Sequence, residues 1–366
     1  MTLDYELLKR LSETPGVPSR EEHIRRVVVE AARPLVDDVR TDALGNAVLF
    51  KRGEAGGDRA PRVMVAAHMD EIGFLVRHVD KHGFLRLQPV GGFDPRTLVA
   101  QRVIVHASGG AADAPAAPAA RALRGVLMLA GGKPPHLMAG QEPKSPKLAD
   151  LFVDVGLTGD EAGSLVEVGD MVTLDRTLER AGGNVIGKAL DDRAGVYVML
   201  AALRALGRHQ ADVLAVATVQ EEVGLRGATT AAFGLEPDVG VALDGTLAVD
   251  IPGTEEQEAI TRLGKGVGIK VMDSSSISDP RLVAQMREIA RREGIPFQME
   301  ILPRGGTDAG ALQRARAGIP AITLSVPLRY VHTVNEMASE ADVDAAVTLL
   351  TRYLEEAHTF DYTHAL

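Results

Sequence analysis

Uninterrupted apolar runs recur along the chain and predict the strands of a central sheet. The runs cover residues 63–67, 213–219, 239–243 and 321–326. Strands without polar alternation are typical of a sheet that is covered on both faces. Helical patterns separate these runs, so the sequence predicts an α/β fold with a mainly parallel central sheet flanked by helices.

Helices are predicted before the first run, between the runs and after the last run. Ser19, with Glu22 three positions later, predicts a capping box at the start of an N-terminal helix. Helical patterns predict four further helices, at 192–206, from Asp279-Pro280, at 307–316 and from near Ser339. Helices that alternate with buried strands are the pattern expected of a layered α/β sandwich.

The pattern changes between about residues 73 and 174, where helical periodicity fades. Four short strands are predicted there, separated by turns that contain glycine or proline: 74–79, 84–89, 102–107 and 123–129. We therefore expect an inserted small all-β barrel. The predicted domains are 1–72 and 175–366, which form one catalytic α/β domain, and 73–174, the inserted barrel. Within the barrel, the Ala/Gly/Pro-rich tract 109–120 is expected to be a surface loop.

Composition and charge narrow the function classes. The 366 residues are 45% hydrophobic and 25% charged, and their formal net charge is −10. A net acidic chain disfavours nucleic acid as a partner, and no apolar run reaches the ~18 residues that a membrane span needs. The N-terminus lacks the features of a signal peptide. Cysteine is absent, which excludes disulfides and thiolate ligands and leads us to expect a cytoplasmic protein.

Potential metal ligands follow the predicted strands. His68 and Asp70 come after the first run, Glu221 and Glu222 after the second, and Asp244 after the third. Ligands of open α/β sheets bind beyond the carboxyl ends of the strands. Each residue alone is better explained as a surface charge or a turn, but their convergence on one sheet edge favours a shared site.

Two further groups belong with this set. Asp191 and Asp192 open a predicted helix, where they could be simple caps, and His332 lies shortly after the fourth run. Two histidines with three or four carboxylates suit a pair of divalent ions without sulfur. Of the adjacent Glu221 and Glu222, one can bind metal while the other accepts a proton from water.

Six motifs together resemble the tetrahedral (TET-type) dinuclear metallo-aminopeptidases, a family that includes glutamyl aminopeptidases and members named endoglucanase. They occur in order and cover most of the chain: 68–74 (HMDEIGF), 133–137 (KPPHL), 187–195 (GKALDDRAG), 219–224 (VQEEVG), 305–309 (GGTDA) and 329–333 (RYVHT). The departures are small: the tract 109–120 is longer than expected, and Thr333 stands where serine is expected. The resemblance implies a zinc-peptidase-like fold and the hydrolysis of N-terminal residues from peptides.

The resemblance also implies a ligand set for two metal ions per subunit, Zn²⁺ or Co²⁺ with Mn²⁺ as a further option. His68 and Asp244 would hold one ion, Glu222 and His332 would hold the other, and Asp191 would bridge them.

The remaining implied roles concern proton transfer and support. Glu221 would be the general base that activates the bridging water and then the acid that protonates the leaving amine. Asp70 would support His68, and Asp192 would follow Asp191 through an unusual peptide geometry. The barrel would be a dimerisation domain, and the dimers would assemble into a hollow dodecamer that admits peptides with a free N-terminus.

Three other functions remain open from the residues. A metal-dependent deacylase or carboxypeptidase of N-acyl amino acids would need a cation for the substrate carboxylate, and Arg193 and Arg304 could supply one. A glycosidase would need an aromatic groove, which a chain with no Trp and 5 Tyr does not favour. A non-catalytic peptide-binding protein would be expected to lack some of the ligands or Glu221.

Overall fold

The computed structural model describes residues 2–55, 61–109, 121–131, 137 and 146–362. Most of the tract 109–120 and of the motif 133–137 lies outside these residues. None of the helices in the described ranges is long and apolar enough to cross a membrane.

The described residues form eight α-helices. In chain order, α1 to α8 are Tyr5–Glu13, Glu22–Ala32, Gly159–Leu165, Leu190–Ala205, Arg226–Leu235, Pro280–Glu293, Ala309–Gln313 and Glu340–Glu356.

They also form seventeen strands. In chain order, β1 to β17 are Asp38–Thr41, Ala47–Lys51, Arg62–His68, Gly73–Val79, Leu85–Val90, Gln101–Ala107, Arg121–Leu129, Leu151–Asp154, Met171–Leu174, Glu179–Ala181, Asn184–Gly187, Asp212–Thr218, Val239–Leu247, Val267–Met272, Phe297–Ile301, Ala321–Arg329 and Glu336–Ser339.

Eleven strands make one mixed sheet in the order β1-β2-β12-β3-β13-β16-β17-β11-β10, with β14 beside β16 and β15 beside β14. The four predicted strands are its centre, and β12, β3, β13 and β16 run parallel to one another. The strands outside this centre pair with it antiparallel through β2, β14 and β17. The predicted α/β fold, with a mainly parallel centre, is confirmed.

Alternate residues of the central strands enter two separate cores. Along β3, Val63, Val65 and Ala67 pack in the larger core with residues of α1, α2, α4, α6 and α8. Met64 and Ala66 point to the opposite face and pack with residues of α5 and α7. Because successive side chains of a strand point to opposite faces, an apolar run with no polar break is the pattern that a sheet between two helical layers requires.

The start of α2 differs from the prediction. The N-cap is Glu21 rather than Ser19, and Glu21 makes no side-chain capping bond to its own helix. Ser19 instead adopts a left-handed conformation with a φ of 69°, which is uncommon for a residue other than glycine. The expected capping box is therefore wrong, and the Glu21 carboxylate is directed elsewhere.

Contacts divide the chain into two compact units. The first comprises Met1–Asp70, Thr177–Val331 and Asn335–Leu366, and the second comprises Glu71–Arg176 with His332–Val334. Six strands of the second unit close into a barrel in the order β4-β5-β8-β7-β6-β9. Its interior is apolar and includes Phe74, Val103 and Leu127. The predicted barrel is confirmed, with β8 and β9 added to the four strands expected.

Candidate metal centre

The carboxyl ends of the central strands bring the predicted ligands to one edge of the sheet. His68 is the last residue of β3 and lies in register with Thr218, the last residue of β12. Asp244 lies within β13 rather than after it, because this strand continues to Leu247 in parallel pairing with β16. The expected convergence of these strand ends is therefore present.

His68, Asp191 and Asp244 form a compact group of potential ligands. One ligand atom from each lies within 4.8 Å of the others. The Nε2 atom of His68 is 3.4 Å from Oδ1 of Asp191. All three side chains are buried, with exposed fractions of 2%, 8% and 5% respectively. One imidazole and two carboxylates are a donor set that suits zinc and similar divalent ions.

The ring of His68 is oriented by Asp70 through two different atoms. Its Nδ1 lies 3.0 Å from the main-chain carbonyl oxygen of Asp70 and 3.6 Å from a carboxylate oxygen. A carbonyl only accepts hydrogen bonds, so Nδ1 carries the proton and the lone pair of Nε2 faces Asp191. The same lone pair is 3.9 Å from Oε2 of Glu221. An imidazole lone pair opposite two carboxylates requires a proton or a cation between them.

Asp191 and Asp192 lie at the irregular start of α4 and form hydrogen bonds with residues of other segments. Their peptide bond is cis, and neither residue has helical backbone angles. The Asp192 carboxylate accepts the His68 main-chain N–H at 3.1 Å and the Gly195 N–H at 3.0 Å. The Asp191 N–H donates to Oε2 of Glu336 at 3.0 Å. These bonds fix Asp191 from its backbone, while its side chain faces His68.

Glu221 and Glu222 begin the turn that follows β12, and Asp70 holds both of their amides. The Glu221 N–H donates to Oδ1 of Asp70 at 3.0 Å, and the Glu222 N–H donates to Oδ2 at 3.1 Å. Asn46 accepts the Val219 N–H at 3.0 Å in the same way. Carboxylate oxygens of Glu221 and Glu222 form a second potential ligand group with His68, again within 4.8 Å.

Burial dominates the electrostatics of this cluster. Burial raises the pKa of the Asp244 carboxyl well above its ordinary value, and the nearby charge of Asp191 adds to that effect. Burial likewise raises the pKa of Glu221, with a further increase from Asp244. Burial alone would lower the pKa of His68, but its hydrogen bonds with Asp191 and Asp70 hold it well above the ordinary value.

These shifts describe acidic groups that disfavour one another's charge in the absence of a cation. Divalent ions remove that repulsion and supply the positive charge that the buried oxygens lack. The donor types, their burial and the position of the His68 Nε2 atom opposite carboxylates therefore fit a metal centre.

Three further residues named from the sequence are His332, Arg193 and Arg304. His332 belongs to the short segment His332–Val334, which groups with the barrel unit. There its Nδ1 would lie 3.4 Å from a Cβ atom added at Gly92. Arg193 is completely buried and donates to the carbonyl oxygens of Leu11 and Thr14, so it is committed to the protein interior. Arg304 remains exposed.

Several residues that support the site were not predicted from the sequence. Glu21 accepts the Gln220 N–H at 3.1 Å. Asp308 accepts the Thr218 hydroxyl at 2.5 Å, and burial raises the pKa of Asp308 to about 6. The signal for Asp308 was its place in the motif 305–309, to which no role had been given. Glu21 and Asn46 carry no local signal, because each contacts a segment that is distant in the chain.

Comparisons with known proteins found a matching family model and several similar proteins. The model of the M42 glutamyl aminopeptidase family matches residues 45–349. The lysyl aminopeptidase of Pyrococcus furiosus is 38% identical over 369 residues, which cover 99% of each chain. The structure of aminopeptidase APDkam598 from Desulfurococcus kamchatkensis has a TM-score of 0.87 and 39% identity, covering 96% of this chain and 94% of that one.

A third similar protein is the TET1 peptidase of Pyrococcus horikoshii, which can assemble into a tetrahedron or a large octahedral shell. Its structure has a TM-score of 0.82 and 32% identity, and it covers 96% of this chain and 99% of that chain. Together with the family match, this similarity confirms the resemblance seen in the motifs.

Proposed function

The chain belongs to the M42 glutamyl aminopeptidase family and is a peptide hydrolase, and from that premise we propose that it is an aminopeptidase with two divalent ions. The observation that carries the proposal is the buried Nε2 of His68, which lies 3.4 Å from Oδ1 of Asp191. Buried carboxylates around an imidazole lone pair are stable together when a cation lies among them.

In this proposal the ligands follow the family pattern. His68 and Asp244 would hold one ion, Glu222 and His332 would hold the other, and Asp191 would serve both. Asp191 is suited to a shared role because Gly245 leaves room beside it: a Cβ atom there would lie 3.2 Å from Oδ1 of Asp191. The ions, when bound, would polarise the scissile carbonyl and acidify an attacking water.

Proton transfer is the task of Glu221. Its amide is fixed by Asp70, its side chain is only 11% exposed, and burial raises its pKa. A carboxylate whose pKa has been raised accepts a proton from water more readily and can return it to a leaving amine. We assign Glu222 rather than Glu221 to the metal because the family pattern places the ligand at the second glutamate.

The proposed substrate is a peptide with a free N-terminal amine. Acidic side chains dominate the cluster, and a protonated amine is drawn to such a site. A deacylase would need a cation for the substrate carboxylate. Arg193 is already committed to main-chain carbonyls, which leaves the exposed Arg304 as the remaining one of the two candidates. That commitment favours the aminopeptidase over its closest rival.

A substrate panel tests the proposal directly. The purified protein should be treated with chelator, reloaded with Zn²⁺, Co²⁺ or Mn²⁺, and assayed on aminoacyl-p-nitroanilides and on their N-acetylated forms. We expect metal-dependent cleavage of the free-amine substrates alone, with a metal content near two ions per chain. Cleavage that survives chelation, or that requires the N-acyl group, would refute the proposal.

The two adjacent glutamates form a matched pair for testing their roles. Glu221→Gln should lower kcat by about 10²–10⁴-fold with unchanged metal content, because a general base contributes a factor of that size. Glu222→Gln should lose bound metal as well as activity. Equal metal loss in both variants would mean that Glu221 is a ligand and that the general base lies elsewhere.

We also propose that the protein is a homo-oligomer, assembled from dimers through the barrel unit into a dodecamer. The support is its similarity to the TET1 peptidase of Pyrococcus horikoshii. Light scattering should give about twelve times the chain mass of 38.8 kDa. A mass equal to one chain would exclude this assembly without affecting the chemistry.

A further inference from the structure

The turn after β12 carries Glu221, and it starts in an unusual backbone conformation. Gln220 has a φ of 55°, in the left-handed region that residues other than glycine seldom occupy. Such a conformation persists only where surrounding groups hold it. The position of the Glu221 side chain depends on this turn, because the two residues are adjacent.

Glu21 provides a hydrogen-bond acceptor for the strained residue. Its Oε1 accepts the Gln220 N–H at 3.1 Å and the Ser19 N–H at 2.9 Å. The two contacts join a loop near the N-terminus to a turn almost two hundred residues further along the chain. Nothing in the local sequence requires this link.

The burial of Glu21 indicates that the link has a purpose. Its side chain is 3% exposed, and it makes no capping bond to α2, the helix that it precedes. Burial, with a smaller effect of the nearby Asp70 charge, raises the pKa of Glu21 to about 7. Burying a carboxyl group is unfavourable, so a role limited to capping the start of a helix would be better met by a small exposed residue.

We propose that Glu21 is a positioning residue of the active site, which holds the Gln220 amide and so aims Glu221 at its substrate. The inference rests on the proposed function of Glu221. Asp70 holds the next two amides of the turn, so Glu21 extends the same support by one residue towards β12. Its action depends on a correctly placed oxygen and not on a negative charge.

The contacts of Glu21 separate these two properties. Both hydrogen bonds end on Oε1, and a glutamine carbonyl oxygen can accept both of them. Glu21→Gln therefore removes the charge and keeps the acceptor. Glu21→Asp keeps the charge and withdraws the acceptor by one methylene, and Glu21→Ala removes both. Glu22→Gln is the matched control, since Glu22 is the next residue and is exposed.

The experiment measures kcat, KM and metal content of the metal-loaded variants, together with hydrogen exchange of peptides that span residues 218–224. We expect Glu21→Ala and Glu21→Asp to lower kcat by about 10–100-fold, because small displacements of a catalytic group have effects of this size. KM and metal content should stay near the wild-type values. Exchange of the turn should be faster in both variants, whereas Glu21→Gln and Glu22→Gln should resemble the wild type.

The possible failures can be told apart. Wild-type exchange and kcat in Glu21→Ala and Glu21→Asp would overturn the inference, as would a Glu21→Gln variant as impaired as Glu21→Ala, since charge would then matter. If Glu21→Ala does not fold, the comparison of Glu21→Gln with Glu21→Asp decides the question. If the wild type shows no metal-dependent peptidase activity, the proposed function fails, while hydrogen exchange still reports whether Glu21 holds the turn.

Discussion

Lys270 and Glu300 form an ion pair that has no exposure to solvent. Lys270 lies on β14 and Glu300 on the neighbouring β15, and both side chains are 0% exposed. The Lys270 ammonium and the Thr246 hydroxyl both donate to Oε1 of Glu300. The other oxygen, Oε2, has no hydrogen-bond partner among the described residues. Lys270 is therefore the main compensation for a buried negative charge.

Replacement of Lys270 by methionine should strongly destabilise the fold. The change keeps an unbranched apolar side chain as long as the aliphatic part of lysine, removes the ammonium and leaves Glu300 with one neutral donor. Breaking a buried ion pair by removing one partner costs about 3–5 kcal/mol, because the other charge remains desolvated. Lys265→Met is the matched control, since Lys265 is exposed, and it should change the free energy of unfolding by no more than about 0.5 kcal/mol.

Urea unfolding at neutral pH measures the effect, with helix circular dichroism as the signal because the chain has no Trp. The double variant Lys270→Met with Glu300→Met should recover at least half of the lost stability, since it removes the uncompensated charge as well. A loss below about 1 kcal/mol in the single variant would contradict this reasoning. A double variant as unstable as the single variant would show that packing, and not charge, is responsible.

Three further predictions concern the site and its surroundings. Gly195→Ala should destabilise the protein by about 1–3 kcal/mol and weaken metal binding, because its Cβ would lie 2.2 Å from Oδ1 of Asp192. Calorimetry and metal titration measure the two effects. The control is Gly234→Ala in α5, whose Cβ would meet no atom within 4 Å and which should change neither quantity. Burial raises the pKa of the Asp342 carboxyl from 3.8 to about 6. The stability that this carboxyl contributes is therefore complete below pH 3.8 and is lost as the pH rises through 6. The melting temperature should vary less with pH in Asp342→Asn than in the wild type, and an equal variation in both proteins would exclude Asp342 as the source. Zn²⁺ at 100 times its dissociation constant should stabilise the chelated protein by about 2.7 kcal/mol, and a melting temperature that ignores both Zn²⁺ and chelator would argue against a metal centre.

The central strands could be predicted because strands buried on both faces appear in the sequence as uninterrupted apolar runs. The run at 213–219 corresponds to β12, and that at 321–326 corresponds to the first part of β16. The outer strands β10 and β15 could not be predicted in this way. All three residues of β10 are exposed, and β15 has one buried residue among five. Such short strands are defined by pairing with a neighbour and not by their own pattern.

The candidate site was predictable to the extent that its residues follow strands. His68 and Asp244 come from adjacent strands whose carboxyl ends share an edge, so topology alone brings them together. Glu21 and Lys270 could not be found by that argument. Their importance comes from contacts across the fold, with Gln220 in one case and Glu300 in the other, and neither has a motif or a periodic pattern around it.

The support of the turn after β12 ends entirely on main-chain amides. Asn46, Glu21 and Asp70 accept hydrogen bonds from the N–H groups of consecutive residues from 219 to 222. These hydrogen bonds do not involve the side chains of the four residues. Glu221 can thus be replaced by a different acid, a base or a nucleophile without loss of the hydrogen bonds that hold the turn. The hydrogen bonds that hold the turn do not depend on the proposed general base, which makes position 221 a natural place to install new chemistry.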